Sequence, residues 1–216
     1  MRYRTFRDRR EAGRLLAERL VPLQLADPVV LGLPRGGMPV AAEVAATLVA
    51  PLDVLLVRKL GAPYQPELAI GAVVAGDTIE VVLNEDIVAR LHLTQADIDA
   101  ERDRQLAVLE KRRTLYRAAR APQPVEGRTA IVVDDGAATG ATLRVALRGI
   151  ARQRPGRLIA AAPVASEHAI ELLGQEADEV VTVRVPRFFG AVGVFYRDFS
   201  EVSDDEVVAL LEKASR

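Results

Sequence analysis

The chain has 216 residues, half of them apolar, which suffices for one domain with a sizeable buried core. A net charge of −1 gives no electrostatic reason for nucleic-acid or membrane-surface binding, and the absence of cysteine excludes disulfides and thiolate metal sites. The charged start, Met-Arg-Tyr-Arg-Thr-Phe-Arg, lacks the apolar segment of a secretion signal, and no uncharged apolar run reaches membrane-spanning length, so a cytoplasmic protein with no membrane partner is expected.

Asp8 and Glu11 have capping-box spacing, and Ala12, Leu15, Leu16 and Leu20 recur on one face, which predicts a first helix over residues 9 to 20. Pro28 to Leu33 is apolar without alternation, the pattern of a buried strand, and it runs into Pro34-Arg35-Gly36-Gly37 before Pro39 opens a second helix. Gly36 and Gly37 are expected to leave amides uncovered, and Arg35 has the fork that matches phosphate geometry. An Arg-Gly-Gly turn is by itself a weak signal.

Leu52 to Val57 is the next expected strand, ending at Arg58 and Lys59, so that two cations stand at a carboxyl end. The Pro and Gly residues that follow suit a partly ordered loop that folds over a substrate as a lid. Ala69 to Val74 and Thr78 to Leu83, joined by Ala75-Gly76-Asp77, read as a hairpin. From Thr94, which with Asp97 can cap a helix, a run dense in Arg, Glu and Asp extends to Ala119, with Ile98, Leu106, Leu109 and Tyr116 as a narrow apolar stripe. A long, mostly solvated helix is expected there: a surface strut, or else a dimer contact or a shield over a sheet edge. His92 has no second ligand at metal spacing, and Pro122 and Pro124 end the helical stretch.

The stretch Ala130-Ile131-Val132-Val133-Asp134-Asp135-Gly136-Ala137-Ala138-Thr139-Gly140-Ala141-Thr142 combines a buried strand, adjacent carboxylates and a small-residue loop that opens a helix. Uncovered amides and the positive end of the helix dipole make such a loop an anion site. The acids leave the strand at its carboxyl end, where a parallel sheet collects ligands; there they can accept from sugar hydroxyls or hold a bound magnesium ion. No Lys follows the glycines, so this is not a Walker loop, and no G-x-G-x-x-G follows the acids, so it is not a dinucleotide fingerprint. An ordinary strand-to-helix turn with Asp135 as a cap is the plain alternative.

The helix after this loop is expected to reach Arg152, then a strand spans Leu158 to Pro163, a short helix runs between Ser166 and Gly174, and a strand spans Glu179 to Val183. His168 reads as structural. Pro186 to Phe199 concentrates most of the phenylalanine of a chain without tryptophan, and Ser203 with Glu206 caps a terminal helix. Alternating strands and helices predict an α/β fold: a parallel sheet with helices on both faces.

Four apolar residues, two acids and a small loop ending Thr-Gly-x-Thr resemble the phosphoribosyl diphosphate signature of the type I phosphoribosyltransferases, with Ala141 where Gly is commoner. The resemblance implies the type I phosphoribosyltransferase fold in a single domain over residues 1 to 216, with a small hood at about 185 to 200 and the charged helical stretch at 85 to 120 as an insertion. It implies that Asp134 and Asp135 hold the ribose hydroxyls, directly or through water with Mg²⁺, and that Gly136, Ala137, Ala138, Thr139, Gly140, Ala141 and Thr142 hold the 5′-phosphate. It places Arg35, Gly36 and Gly37 on the diphosphate. The phrase Val57-Arg58-Lys59-Leu60-Gly61-Ala62-Pro63 is similar to the start of the mobile loop in the adenine phosphoribosyltransferase-like branch, which makes Lys59 and Arg58, with Asp135, the catalytic candidates.

The implied reaction moves the phosphoribosyl group of 5-phosphoribosyl 1-diphosphate to a nitrogenous base or amine and releases diphosphate, in nucleotide metabolism and in a homodimer. The hood, with Phe188 and Phe189, would receive the base, unless these rings only seal the core. Other classes are a non-catalytic sensor of phosphoribosyl diphosphate, a DNA-binding regulator using Arg102 to Arg120, and a hydrolase using the paired acids. The acids interleaved with those arginines argue against DNA, and neighbouring acids at a strand end point apart rather than across a bond.

Overall fold

The computed structural model describes residues 5–214. Helix α1 (Arg9–Leu20) starts where expected: the Asp8 carboxylate accepts from the Glu11 amide at 2.7 Å, and Ala12, Leu16 and Leu20 are buried on one side. Strand β1 (Pro28–Gly32) leads through the Arg35 turn into α2 (Gly37–Leu48). The expected strand Leu52 to Val57 is two: β2 (Leu52–Val54) joins the parallel sheet and β3 (Leu56–Ala62) begins an antiparallel one. Apart from Asp53, residues 52–57 are apolar on both sides of Leu55, so residue periodicity carries no mark of the break there.

β3 pairs with β4 (Gln65–Ala75), and β4 with β5 (Ile79–Leu83), so the hairpin predicted over residues 69 to 83 forms. Its surroundings differ from the expectation. In place of a lid loop, Gly61 is paired within β3, Pro63 and Tyr64 make the β3–β4 turn, and Arg58 and Lys59 sit within β3 rather than at the end of a strand. A short helix α3 (Glu85–Arg90) follows, then α4 (Gln95–Ala119), which opens with the predicted capping box of Thr94 and Asp97.

Strands β6 (Thr129–Val133), β7 (Arg157–Val164) and β8 (Glu179–Arg184) complete a five-stranded parallel sheet in the order β2-β1-β6-β7-β8. Its crossover helices are α5 (Ala141–Ala151) and α6 (Glu167–Leu173), and α7 (Asp204–Lys213) ends the described chain. Ser166 and Ser203 cap α6 and α7 as predicted. Successive strand residues face opposite sides, so the core has two layers. Val30 and Ile131 pack with Leu16, Met38, Val44 and Leu211 under α1, α2 and α7; Val29, Leu31 and Val132 pack with Leu143, Leu147 and Leu173 under α5 and α6.

The charged insertion is the long, mostly solvated helix expected, with four of its 25 residues buried, and that narrow stripe docks it along the fold. Ile98, Leu109 and Tyr116 are buried, Glu101 accepts from the Gly61 amide at 3.3 Å, and Tyr116 donates to Asp204 at 2.5 Å. Near its end Arg117 pairs at 2.6 Å with Asp53 of β2, a carboxylate 1% exposed, so α4 is fastened along β3, α7 and the edge of the parallel sheet. Among the described residues no helix is long and apolar enough to cross a membrane.

Candidate functional site

The site lies at the carboxyl edge of the parallel sheet, where β1 and β6 are neighbours in register from Pro28 and Thr129 to Gly32 and Val133. Two strand-to-helix loops therefore leave side by side. After β1 the Pro34–Arg35 peptide is cis, the Leu33 amide donates to Val133 O at 2.8 Å, and the Gly37 amide donates back to Leu33 O at 2.9 Å. A Cβ on Gly37 would stand 2.7 Å from Val133 O, and one on Gly36 would stand 2.1 Å from Asp135 Oδ2. The paired glycines thus let the first loop lie directly on the acids of the second. Of the two amides expected to be uncovered, that of Gly37 is used within its own turn.

After β6, Asp134 and Asp135 leave the strand end and residues 136–142 turn into α5. Gly140 takes φ +71°, a conformation costly for any residue with a Cβ, whereas Ala141 begins the helix without a positive φ, so the extra methyl group there is accommodated. Ala137 is pinned through its amide to Val164 O and through its carbonyl to the Ser166 amide, and Ser166 Oγ donates to Ala138 O at 2.7 Å. Among the described residues, the amides of Ala138, Thr139, Gly140 and Thr142 donate to no protein acceptor. They surround a shallow cavity of about 190 Å³ that Asp134, residues 136–143 and Val192 line. Such a nest of amides at the start of an 11-residue helix is suited to a phosphate.

The Asp135 amide donates to Asp134 Oδ1 at 2.9 Å, and Arg9 Nε donates to Asp135 Oδ2 at 2.8 Å. Burial, and then the Asp135 charge, push the Asp134 carboxyl up to about 8. Burial raises Asp135 as well, while the Arg9 hydrogen bond and charge pull it back. Arg9 is itself locked: its Nη1 donates to Ser200 O at 2.7 Å and its guanidinium lies 3.8 Å from the Phe199 ring centroid. Tyr196 donates to Asp135 O at 2.5 Å. Val192, Tyr196 and Phe199 lie in the hood segment marked in the sequence but had no role of their own there; Arg9 was not singled out, because it is 126 positions from Asp135 and no local pattern marks such a pair.

The remaining candidates are distributed unevenly. Arg35 pairs with Glu201. Arg58 and Lys59 are successive residues of a strand and point to opposite faces, so the two cations do not face one point together; Arg58 turns towards α4 and donates to Gln105 at 2.9 Å. In the segment after β8, Phe189 packs its ring 5.0 Å from that of buried Phe195, which seals the core, whereas Phe188 is 82% exposed. The segment closes against the start of the chain through a Phe6–Tyr196 bridge. His92 and His168 are exposed, and among the described residues no three His, Cys, Asp or Glu side chains are grouped to hold a metal ion.

Residues 8–199 match the phosphoribosyl transferase domain family. The chain belongs to this family. Two Mycobacterium tuberculosis proteins, from strains H37Rv and CDC 1551 and each named "putative phosphoribosyl transferase", are 48% identical over 211 residues. That alignment covers 98% of this chain but 47% of theirs, so the chain spans about half the length of these relatives. The crystal structure of TT1426 from Thermus thermophilus is 50% identical, with a TM-score of 0.87 over 97% of this chain and 98% of that one. The fold is α/β, a five-stranded parallel sheet covered by helices on both faces, as expected.

Proposed function

We propose that the site binds 5-phosphoribosyl 1-diphosphate with magnesium and transfers its phosphoribosyl group to a nitrogen of a base or amine. The observation that carries this reading is the meeting of the two strand-end loops: an amide nest beside paired carboxylates, with the Arg35 turn seated on those carboxylates through its glycines. The 5′-phosphate sits on the amides of residues 138–142, the ribose hydroxyls donate to Asp134 and Asp135, and the diphosphate lies towards Arg35 and Gly36. The bond from the anomeric carbon to diphosphate oxygen breaks with its electron pair leaving on diphosphate. The acceptor nitrogen forms the new bond and gives its proton to solvent.

Asp134 and Asp135 are the groups that would hold the magnesium ion, directly or through water. Two carboxylates without a third protein ligand suit magnesium, which keeps several waters and is completed by substrate phosphates; when bound it neutralises charge on the diphosphate. The protein's part is positioning and stabilisation of developing charge, to which Lys59 of the antiparallel hairpin contributes. Exposed Phe188 offers a ring face for the acceptor, and Phe189 fixes the segment that carries it.

Calorimetry with phosphoribosyl diphosphate and magnesium tests the reading. Asp134→Asn and Asp135→Asn each remove a carboxyl that accepts from the ribose hydroxyls and would hold magnesium, a loss of about 1.5 to 3 kcal/mol, or roughly ten- to a hundredfold in affinity. Unchanged affinity in both variants would remove the assignment.

A further inference from the structure

The insertion helix α4 does more than fasten the sheet edge. Between it and β3 lies a cleft of about 370 Å³, whose lining includes Pro34, the residue before Arg35, and Asp204. Its lining mixes apolar and charged side chains: Leu56 and Val57 come from β3 and Leu109 and Leu115 from α4, with Val108 on α4 53% exposed. Three cations line it beside them. Arg58 is held in place by Gln105, and Lys111 and Arg112 are adjacent on α4.

The charge in the cleft is unbalanced. Asp204 is the one acid among its lining residues, and its Oδ1 is shared between the Tyr116 hydroxyl at 2.5 Å and Arg112 at 3.5 Å. Lys111 has no ion pair among the described residues. Three cations against one shared carboxylate, beside the apolar side chains of β3 and α4, are complementary to a molecule with an apolar body and an anionic head.

We propose that the β3–α4 cleft is a binding site for a small apolar molecule carrying one anionic group, separate from the amide nest and the carboxylate pair. The apolar body lies against Leu56, Val57 and Leu115, and the anionic head meets Lys111 and Arg112. Because Pro34 is part of the lining, an occupant would abut the Arg35 turn. The site depends neither on phosphoribosyl diphosphate nor on turnover.

Anilinonaphthalene sulfonate, an aromatic body with a single anionic group, is the probe, and its fluorescence on titration is the readout. One saturable site is expected. Lys111→Gln removes one cation and Val108→Glu adds a like charge to the lining; both are exposed helix positions that the fold tolerates, and each should weaken binding at least about tenfold. Phenyl-naphthylamine, the same apolar body without the charge, should bind at least about tenfold more weakly than the sulfonate. Binding that does not saturate, that is equal in both variants, or that is matched by the uncharged probe would overturn the proposal. Calorimetry with inorganic diphosphate and magnesium reads the other site: its failure alone leaves the cleft standing.

Discussion

Gly36→Ala is the substitution whose cost follows most directly from the geometry. Gly36 has φ −61° and ψ −35°, ordinary helical values, so the backbone itself accepts alanine, and the stiffer residue would gain about 0.4 to 1 kcal/mol through the unfolded chain. The obstacle is the neighbour. The new Cβ would stand 2.1 Å from Asp135 Oδ2 and 2.9 Å from its Cγ, so the carboxylate must turn away. The same oxygen is the one that accepts from Arg9 at 2.8 Å, and losing a hydrogen bond to a charged group costs about 1.5 to 3 kcal/mol. The net expectation is a destabilisation of roughly 1 to 2 kcal/mol, with weaker binding of phosphoribosyl diphosphate. Urea denaturation of wild type, Gly36→Ala, Arg9→Gln and the double variant is the assay. In the Arg9→Gln background the Asp135 carboxylate has lost its Arg9 partner and turns away at less cost, so Gly36→Ala should be close to neutral, a coupling of about 1 kcal/mol or more. Additive effects, or a Gly36→Ala protein as stable as wild type, would refute the account of how the two loops are joined.

Two further outcomes are expected. Glu176 accepts from Arg144 at 2.8 Å and from Arg148 at 2.8 and 2.6 Å, and its pKa is held below 4.5, first by the Arg148 hydrogen bond. A depressed carboxylate contributes stability above its unfolded pKa and loses it as pH falls through the folded one, so Glu176→Gln should cost about 1 to 2 kcal/mol at neutral pH. The deficit should shrink on acidification below about 4.5; a pH-independent deficit in thermal melts would show that shape, not charge, is at work. Lys59→Ala separates an enzyme from a sensor: a group that stabilises departing diphosphate should lower the rate about a hundredfold while weakening ground-state binding far less. Equal losses in diphosphate release and in binding would reduce Lys59 to a substrate contact, and no turnover with any base tried would favour the sensor.

What is local in this protein was legible in its sequence. Asp8, Thr94, Ser166 and Ser203 announce helix starts because a cap bonds a backbone amide three residues on, and each of them does so. The unbroken apolar runs before Pro34 and Asp134 become neighbouring strands, and the glycines and small residues after them make the loops that were expected there. The breaks in legibility are equally physical. The expected strand from Leu52 to Val57 divides at Leu55 because its two halves join different sheets, and a short, mostly apolar run does not record which sheet will receive it.

The sequence by itself therefore determined the family, the parallel sheet and the pair of loops at its carboxyl edge, since these rest on periods of two to four residues and on a contiguous motif. Only the tertiary structure decided which charges serve that edge. It brought Arg9 to the acids across more than half the chain and Tyr196 across 61 positions, set Phe199 against Arg9, turned Arg58 from Lys59 by the alternation of β3, and laid α4 against β3 to form a second cleft. A long side chain's partner is set by which elements pack beside it, and that is a property of the assembled layers rather than of neighbouring residues.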